Sequence, residues 1–199
     1  GTRESHTTVT FESKTEVTNI LGATHQAAGS ATIDAEAGTG SCELSVKTET
    51  LNSGMPDRDR AMIGKTWLNA AEFPTIEFKS IKAGKKEGNT WSIDGKFTLR
   101  GVTREISVDA EVRSFPAETG KKLGFGDAPV IKVKTSFKVK FEDYGMKLDD
   151  KQLATVQPEI TVGLDLWGTA IKPAGEPMIQ SSELCNQAGE SINSILQVK

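Results

Sequence analysis

Apolar and polar residues alternate at every second position through three successive segments between Thr75 and Val112. The apolar positions are Ile76 and Phe78, then Trp91, Ile93, Phe97 and Leu99, then Ile106, Val108, Ala110 and Val112. Successive side chains of a β-strand point to opposite faces, so each segment predicts a strand with one apolar and one polar face. This alternation is typical of antiparallel sheets with one covered face, because parallel strands buried on both faces read as continuous apolar runs.

Five further segments extend the strand pattern, at residues 9–14, 26–35, 41–47, 131–141 and 160–166. The second is the weakest, since it consists mainly of small residues. Long alternating strands without intervening helices favour a closed barrel, because closure removes the exposed sheet edges. We therefore predict an all-β fold, a single eight-stranded antiparallel β-barrel.

Three stretches depart from the strand pattern. Residues 57–71 predict a short helical connector, and residues 16–23 are compatible with a short helix across one end of the barrel. The tail from Ser181 places apolar residues, among them Ile195 and Leu196, at near-helical spacing, although Gly189 weakens a helix there. We divide the chain into a barrel domain at residues 1–171 and a C-terminal extension at residues 172–199, packing on the barrel or trailing from it.

Charge and composition argue against several kinds of partner and cofactor. A net charge of −3 over 199 residues gives no basic footprint for nucleic acid. No apolar run reaches the ~18 residues of a transmembrane helix. Two histidines and two cysteines without clustered spacing do not predict a metal or haem site. We expect no metal, no cofactor, no nucleic-acid partner and no transmembrane segment.

The two cysteines, Cys42 and Cys185, lie far apart in the sequence. They are either two unrelated buried thiols or a disulfide that ties the C-terminal segment to the strand at residues 41–47. Two cysteines do not decide between these alternatives, and a bridge requires an oxidising compartment.

A longer motif lies in the centre of the chain. Arg58-Asp59 and Trp67 precede FPTIEF at Phe73–Phe78, and GKFTLRGVT follows at Gly95–Thr103. Val9-x-Phe11 and the segment FEDYG from Phe141 also belong to the pattern, by residue type and by their order in the chain. In these residues the chain resembles the YceI-like family of bacterial lipocalin-like, polyisoprenoid-binding proteins, over roughly residues 7–167. Two family histidines have no counterpart, because Ala61, Met62 and Thr15 occupy their neighbourhoods.

The resemblance implies a lipocalin-like barrel that holds a long-chain lipid, such as a polyisoprenoid or an isoprenoid quinone. It also implies a periplasmic or secreted protein, in which a Cys42–Cys185 bridge is feasible, and it offers no agreed catalytic residues. We therefore expect a non-catalytic lipid carrier that is compatible with a homodimer. The alternatives are a structural or adhesive β-domain with a packed interior and, less favoured, an enzyme of lipid or quinone metabolism.

The candidate lipid-binding residues are the apolar side chains on the inner faces of the strands and on the connector. They are Phe11, Met62, Trp67, Leu68, Phe73, Ile76, Phe78, Trp91, Ile93, Phe97, Val108, Ala110, Val133, Phe137, Phe141, Val162 and Leu164. An eight-stranded barrel is just wide enough to be filled by side chains or to hold one slim ligand, so alternation alone leaves both open. Small residues among the inward positions favour a cavity.

Two features of the connector have two interpretations each. Arg58 and Arg60 either meet a polar lipid head group, since guanidinium groups bind phosphate in a bidentate way, or fix the connector, Arg58 through an ion pair with Asp59. Trp67 either plugs the barrel end or gates lipid entry, because indole suits a boundary between lipid tail and polar head.

Overall fold

The computed structural model describes residues 6–34, 36–171 and 194–198. These residues form ten strands: β1 Thr8–Lys14, β2 Asn19–Thr24, β3 Ala27–Asp34, β4 Thr39–Lys47, β5 Thr75–Lys85, β6 Thr90–Leu99, β7 Val102–Phe115, β8 Val130–Lys140, β9 Glu159–Ile171 and β10 Ser194–Val198. The helices are α1 Pro56–Ile63, α2 Ala117–Lys122 and α3 Asp150–Leu153, with 3₁₀ turns at Thr48–Thr50 and Phe141–Tyr144. None of the described helices is long and apolar enough to cross a membrane.

All ten strands belong to one antiparallel sheet in the order β10-β3-β4-β5-β6-β7-β8-β9-β1-β2. β10 also pairs with β9, so strands β3 to β10 form a closed circuit. β9 makes this possible through its length. Its residues Thr161–Asp165 pair with β1 and its residues Thr169–Ile171 pair with β10, while its other edge pairs with β8 from Glu159 to Thr169. The predicted all-β barrel is confirmed.

The strand count differs from the eight predicted, because β2 and β10 were not recognised. Residues 16–23 are compatible with a short helix by their sequence, but Asn19–Thr24 pair with β1 as a hairpin strand. Ile195 and Leu196 have near-helical spacing, yet they pair with β3 and β9. In both segments pairing with an available sheet edge overrides the local pattern, which tertiary context routinely does.

A tight turn joins β6 and β7 at the centre of the motif. Leu99 pairs with Val102, so the loop consists of Arg100 and Gly101 alone. Both have positive φ, at 50° and 73°. Two-residue hairpin loops with positive φ at both positions match the right-handed twist of the strands, and glycine adopts this conformation without steric cost. The Leu-Arg-Gly-Val sequence therefore fixes the register of the hairpin.

In the described part of the chain, the interior side chains form one large apolar cluster and two smaller ones. The large cluster is built from Leu51, Leu68, Phe97, Leu99, Val139, Phe141, Tyr144 and Met146, and Met62 and Trp67 pack against it. The second cluster contains Val9, Ala27, Val46 and Leu166. The third surrounds Ile131, with Ile33, Val112 and Ala170 among its members.

The connector between β4 and β5 covers the end of the barrel at the large cluster. α1 begins at Pro56, where a missing N–H costs no helical hydrogen bond, and it ends at Ile63. The following turn is held by backbone hydrogen bonds from Leu68 to Met62 and from Ala70 to Ile63. The predicted short helical connector is confirmed.

Candidate functional site

An apolar cavity of about 260 Å³ lies inside the barrel. One ordered water needs only ~10–15 Å³ together with several polar partners, and the walls here are almost entirely hydrocarbon. A large space with apolar walls and few polar groups is the usual composition of a lipid site. The interior is therefore not packed solid.

The predicted lining residues converge on this cavity, with two exceptions. The following line it: Phe11, Met62, Trp67, Leu68, Ile76, Phe78, Ile93, Phe97, Val108, Ala110, Val133, Phe137, Phe141, Val162 and Leu164. These residues belong to the connector and to strands that are distant from one another in the sequence. Closure of the barrel brings them together.

Phe73 and Trp91 do not line the cavity. The ring of Phe73 lies over the β6–β7 turn, where a Cβ added to Gly101 would be 2.5 Å from Phe73 Cε1. Trp91 has the inward phase and is 5% exposed, but it lies beside Gly40, beyond the wall that Ile93 contributes. Alternation predicts the face of a strand correctly and does not say how far along the strand a cavity extends.

One end of the cavity lies beneath α1. Ile20 from β2, Arg58 and Ala61 from α1, and Val156 after α3 all belong to its wall, and Ala61 is exposed to solvent. Thr18 Oγ1 donates to the carbonyl of Thr155 at 2.6 Å, which ties the β1–β2 turn to the segment after α3. We call this end, formed by Ile20, Arg58, Ala61 and Val156, the mouth. Ile131, Ile33 and Val112 lie outside the lining, whereas Val133 of the same cluster belongs to it.

Arg58 is held at the mouth by its own neighbours. Its Nε donates to Ser53 Oγ at 2.7 Å, and one terminal nitrogen donates to the Ser53 carbonyl at 3.2 Å. Asp59 accepts from the backbone N–H and the hydroxyl of Ser53 at 2.8 and 2.5 Å. Arg58 and Asp59 thus connect through Ser53, which fixes the guanidinium at the cavity wall.

Arg60 lies elsewhere. Its guanidinium pairs with the Asp57 carboxylate one helical turn away, and the side chain is 74% exposed. Since residues two positions apart on a helix point in different directions, Arg58 and Arg60 do not share a face. Arg60 does not reach the cavity.

The sequence argument missed several lining residues. Val9, Val46, Leu99, Val139 and Leu166 line the cavity and follow the same alternation as the predicted residues, so the signal was present. Leu51 and Val156 come from irregular segments, where no periodicity indicates the inner face.

Cys42 lies half-buried on β4 and contributes to the cavity wall. Burial raises the pKa of its thiol, and a hydrogen bond with the Ser80 side chain opposes that shift in part. Cys185 lies outside the described residues, so the Cys42–Cys185 bridge stays a prediction. In the described part of the chain, no group of three or more His, Cys, Asp or Glu residues is arranged to hold a metal ion.

Comparison with known proteins agrees with this geometry. The family model of the YceI-like domain matches residues 2–167. The chain belongs to the YceI-like family. A UPF0312 protein of Yersinia pestis is 27% identical over 131 residues, which cover 64% of this chain and 61% of that protein.

Two solved structures share the fold of this YceI-like chain. BcnA of Burkholderia cenocepacia superimposes with a TM-score of 0.71 at 19% identity, covering 82% of this chain and 96% of BcnA. A polyisoprenoid-binding domain from Saccharophagus degradans, implicated in plant cell wall breakdown, gives 0.60 at 14% identity, covering 82% and 94% of the two chains. At these identities the likeness establishes the lipocalin-like fold.

Proposed function

We propose that this YceI-like protein is a non-catalytic carrier that holds a long-chain apolar lipid, a polyisoprenoid or an isoprenoid quinone, in the barrel interior. The observation that carries the proposal is the open, almost wholly apolar cavity of about 260 Å³ with its mouth beneath α1. Each buried methylene contributes about 0.8 kcal/mol, so a long tail binds firmly with few polar contacts. The name of the Saccharophagus degradans domain supports the choice of lipid class.

The mouth favours a lipid with a polar head group. Among the described residues that line the cavity, Arg58 is the one cation, and its position is fixed by Ser53 rather than by a direct ion pair. A guanidinium at the boundary of an apolar cavity donates well to phosphate or quinone oxygens. We place the lipid head at Arg58 and the tail between β1 and β5.

A carrier accounts for the cavity better than an enzyme does. Within the described residues, neither histidine lines the cavity, and the ring of His25 instead lies beside the Thr7 carbonyl and the Thr8 hydroxyl. The charged residues that the structure describes at the cavity wall are Arg58, Glu43 and Glu77. They do not form a pair of nucleophile and general base.

Uptake of lipid by the purified, delipidated protein tests the proposal. We expect native mass spectrometry to show one bound polyprenol or quinone per chain. An Ala110→Leu variant fills part of the cavity, because Ala110 lines it and is 1% exposed, and should lose most of the bound lipid. Ala28→Leu on the exposed face of β3 is the matched control and should bind as the unaltered protein does.

Failure of the unaltered, folded protein to take up any of these lipids would reject the carrier and favour the adhesive β-domain.

The cellular location of the protein belongs to the same proposal. We propose an exported, periplasmic or secreted protein on the basis of the family alone, and cell fractionation of the native host tests it. The monomer–dimer state is checked by light scattering with and without lipid.

A further inference from the structure

Two phenylalanine rings of the cavity wall lie directly over glycines. Phe11 on β1 pairs in register with Gly22 on β2, and a Cβ added to Gly22 would be 2.5 Å from Phe11 Cε1. Phe78 on β5 covers Gly95 on β6, where an added Cβ would be 2.6 Å from Phe78 Cε2. Each ring therefore occupies space that the side chain of any other residue would need.

These two rings, and not the glycines beneath them, line the cavity. The tip of each ring lies against a glycine of the neighbouring strand, and the same side chain borders the lumen. β1 and β5 are not neighbours, because β6 to β9 lie between them in the order of the sheet. Phe11 and Phe78 pack against the same apolar cluster, so they border the lumen from different walls at the same end of the barrel.

We infer that the pairs Phe11–Gly22 and Phe78–Gly95 set the width of the lumen, so that it admits a methyl-branched isoprenoid chain rather than only a linear acyl chain. This inference rests on the proposed lipid-carrier function and specifies the shape of its cargo. A side chain at either glycine would push the ring away from the wall, and the free direction is into the lumen. Methyl branches make an isoprenoid chain broader than a linear chain of equal length, so narrowing excludes the branched chain first.

A purely structural role for the glycines makes a different prediction. The added Cβ would also be 2.8 Å from the Lys79 carbonyl oxygen at Gly95, and 2.7 Å from the Asn52 carbonyl oxygen at Gly22. If close backbone approach were their whole purpose, substitution would reduce stability without changing which lipid binds. The ratio of the binding affinities for two ligands of equal main-chain length therefore distinguishes a role in setting the lumen width from a purely structural role.

The experiment measures binding of geranylgeraniol and hexadecan-1-ol, whose main chains have the same length, to delipidated protein. We expect the unaltered protein to prefer geranylgeraniol. Gly95→Ala should weaken geranylgeraniol binding about tenfold relative to hexadecan-1-ol, since overpacking in a fixed cavity is costly. Phe78→Leu removes the ring and should shift the ratio in the opposite direction.

The matched control is Gly84→Ala on β5, where an added Cβ meets nothing closer than the Gly38 carbonyl oxygen at 4.0 Å. Its ratio should equal that of the unaltered protein. If Gly95→Ala does not fold, the ratio of the two affinities measured for Phe78→Leu tests the inference instead. An unchanged ratio in the folded variants would overturn the inference, whereas absence of binding of either alcohol to the unaltered protein would count against the carrier function itself.

Discussion

The rings of Trp67 and Phe141 meet edge to face, with centroids 5.6 Å apart and planes inclined at 81°. Trp67 belongs to the connector after α1, and Phe141 follows directly on β8. Both side chains line the cavity and lie at the large apolar cluster. Their contact thus fastens the connector to the barrel wall at the end of the cavity where the mouth lies.

Replacing Trp67 with Ala should loosen this attachment and accelerate lipid exchange. Trp67 is half-buried, so we expect the free energy of unfolding to fall by less than the ~3–5 kcal/mol typical of a fully buried aromatic side chain. Loss of the indole opens the mouth, so lipid should transfer faster to acceptor vesicles. Chemical denaturation measures the first effect, and transfer of a fluorescent polyprenol measures the second.

Trp167→Ala is the matched control for this substitution. Trp167 is also half-buried, but it stacks on Phe115 with centroids 5.5 Å apart and does not line the cavity. We expect it to lower stability without changing lipid exchange. Equal retention of lipid by folded Trp67→Ala and unaltered protein would remove Trp67 from the site and leave it a structural plug.

Arg58→Gln should discriminate between lipid head groups. A hydrogen bond to a charged group contributes about 1.5–3 kcal/mol, so we expect binding of geranylgeranyl pyrophosphate to weaken at least about tenfold. Geranylgeraniol binding should change much less, because its tail contacts are retained. Isothermal titration calorimetry with both ligands gives the comparison.

Arg60→Gln controls for the loss of a positive charge from α1. Arg60 pairs with Asp57 and does not reach the cavity, so its substitution should leave both affinities unchanged. A parallel loss of both ligands in Arg58→Gln would instead indicate that Arg58 acts only through Ser53, by holding the connector in place.

Tyr144 provides a pH probe of the large apolar cluster, since it is the single tyrosine of the chain. It is buried, at 3% exposure, and its ring meets Phe97 edge to face at 5.6 Å. Burial, and secondarily the negative charge of Asp143, raise the pKa of its hydroxyl. Absorbance of tyrosinate should therefore appear at higher pH in the folded protein than in the denatured protein.

The same shift has a defined effect on stability. Because the pKa of Tyr144 is higher in the folded state, its raised pKa adds to the free energy of unfolding. This contribution is fully present below the pKa of about 10 that tyrosine has in the unfolded chain. It falls as pH rises from there towards the pKa of the folded state. Tyr144→Phe should abolish both the absorbance change and this part of the pH dependence. Identical tyrosinate midpoints in folded and denatured protein would contradict the prediction.

The sequence predicts the barrel well where one rule governs a long segment. From Ile131 to Phe141 the inward side chains follow strict alternation, because one side of the sheet is covered and a shift of one residue would turn every apolar group outward. The Arg100–Gly101 turn is equally local, since its backbone conformation depends on two residues. The alternation along the strands locates most of the cavity wall.

The remaining features depend on contacts that no local pattern encodes. β2 has a weak apolar pattern and forms because β1 presents an edge to it. Trp91 and Ile93 have the same phase, but only Ile93 lines the cavity, because the extent of the cavity along the barrel depends on all the walls together. Gly22 lies in a segment without a predicted strand and Gly95 in a predicted strand, and their contacts with Phe11 and Phe78 follow only from the placement of the neighbouring strands.

Cys42 should report directly on cavity occupancy. It lies in the cavity wall, and burial raises its pKa above that of an exposed thiol. The thiolate is the reactive form, so alkylation by iodoacetamide should be slow at neutral pH and should rise only at more alkaline pH than for an exposed cysteine. A bound lipid should slow alkylation further, because it covers the thiol. Mass spectrometry of a Cys185→Ser variant, in which Cys42 is the remaining cysteine, measures the rate.

The unaltered protein then tests the predicted Cys42–Cys185 bridge. If the bridge forms, protein purified from an oxidising compartment should resist alkylation until it is reduced. Its mass should increase on reduction by the hydrogen atoms that the two sulfurs gain. The Ser80→Ala variant is the control for the local environment, since the Ser80 side chain bonds to Cys42 and lowers its pKa. Its removal should move the alkylation midpoint to still higher pH. Alkylation of the Cys185→Ser protein at the same rate with and without bound polyprenol would show that the lipid does not lie against Cys42.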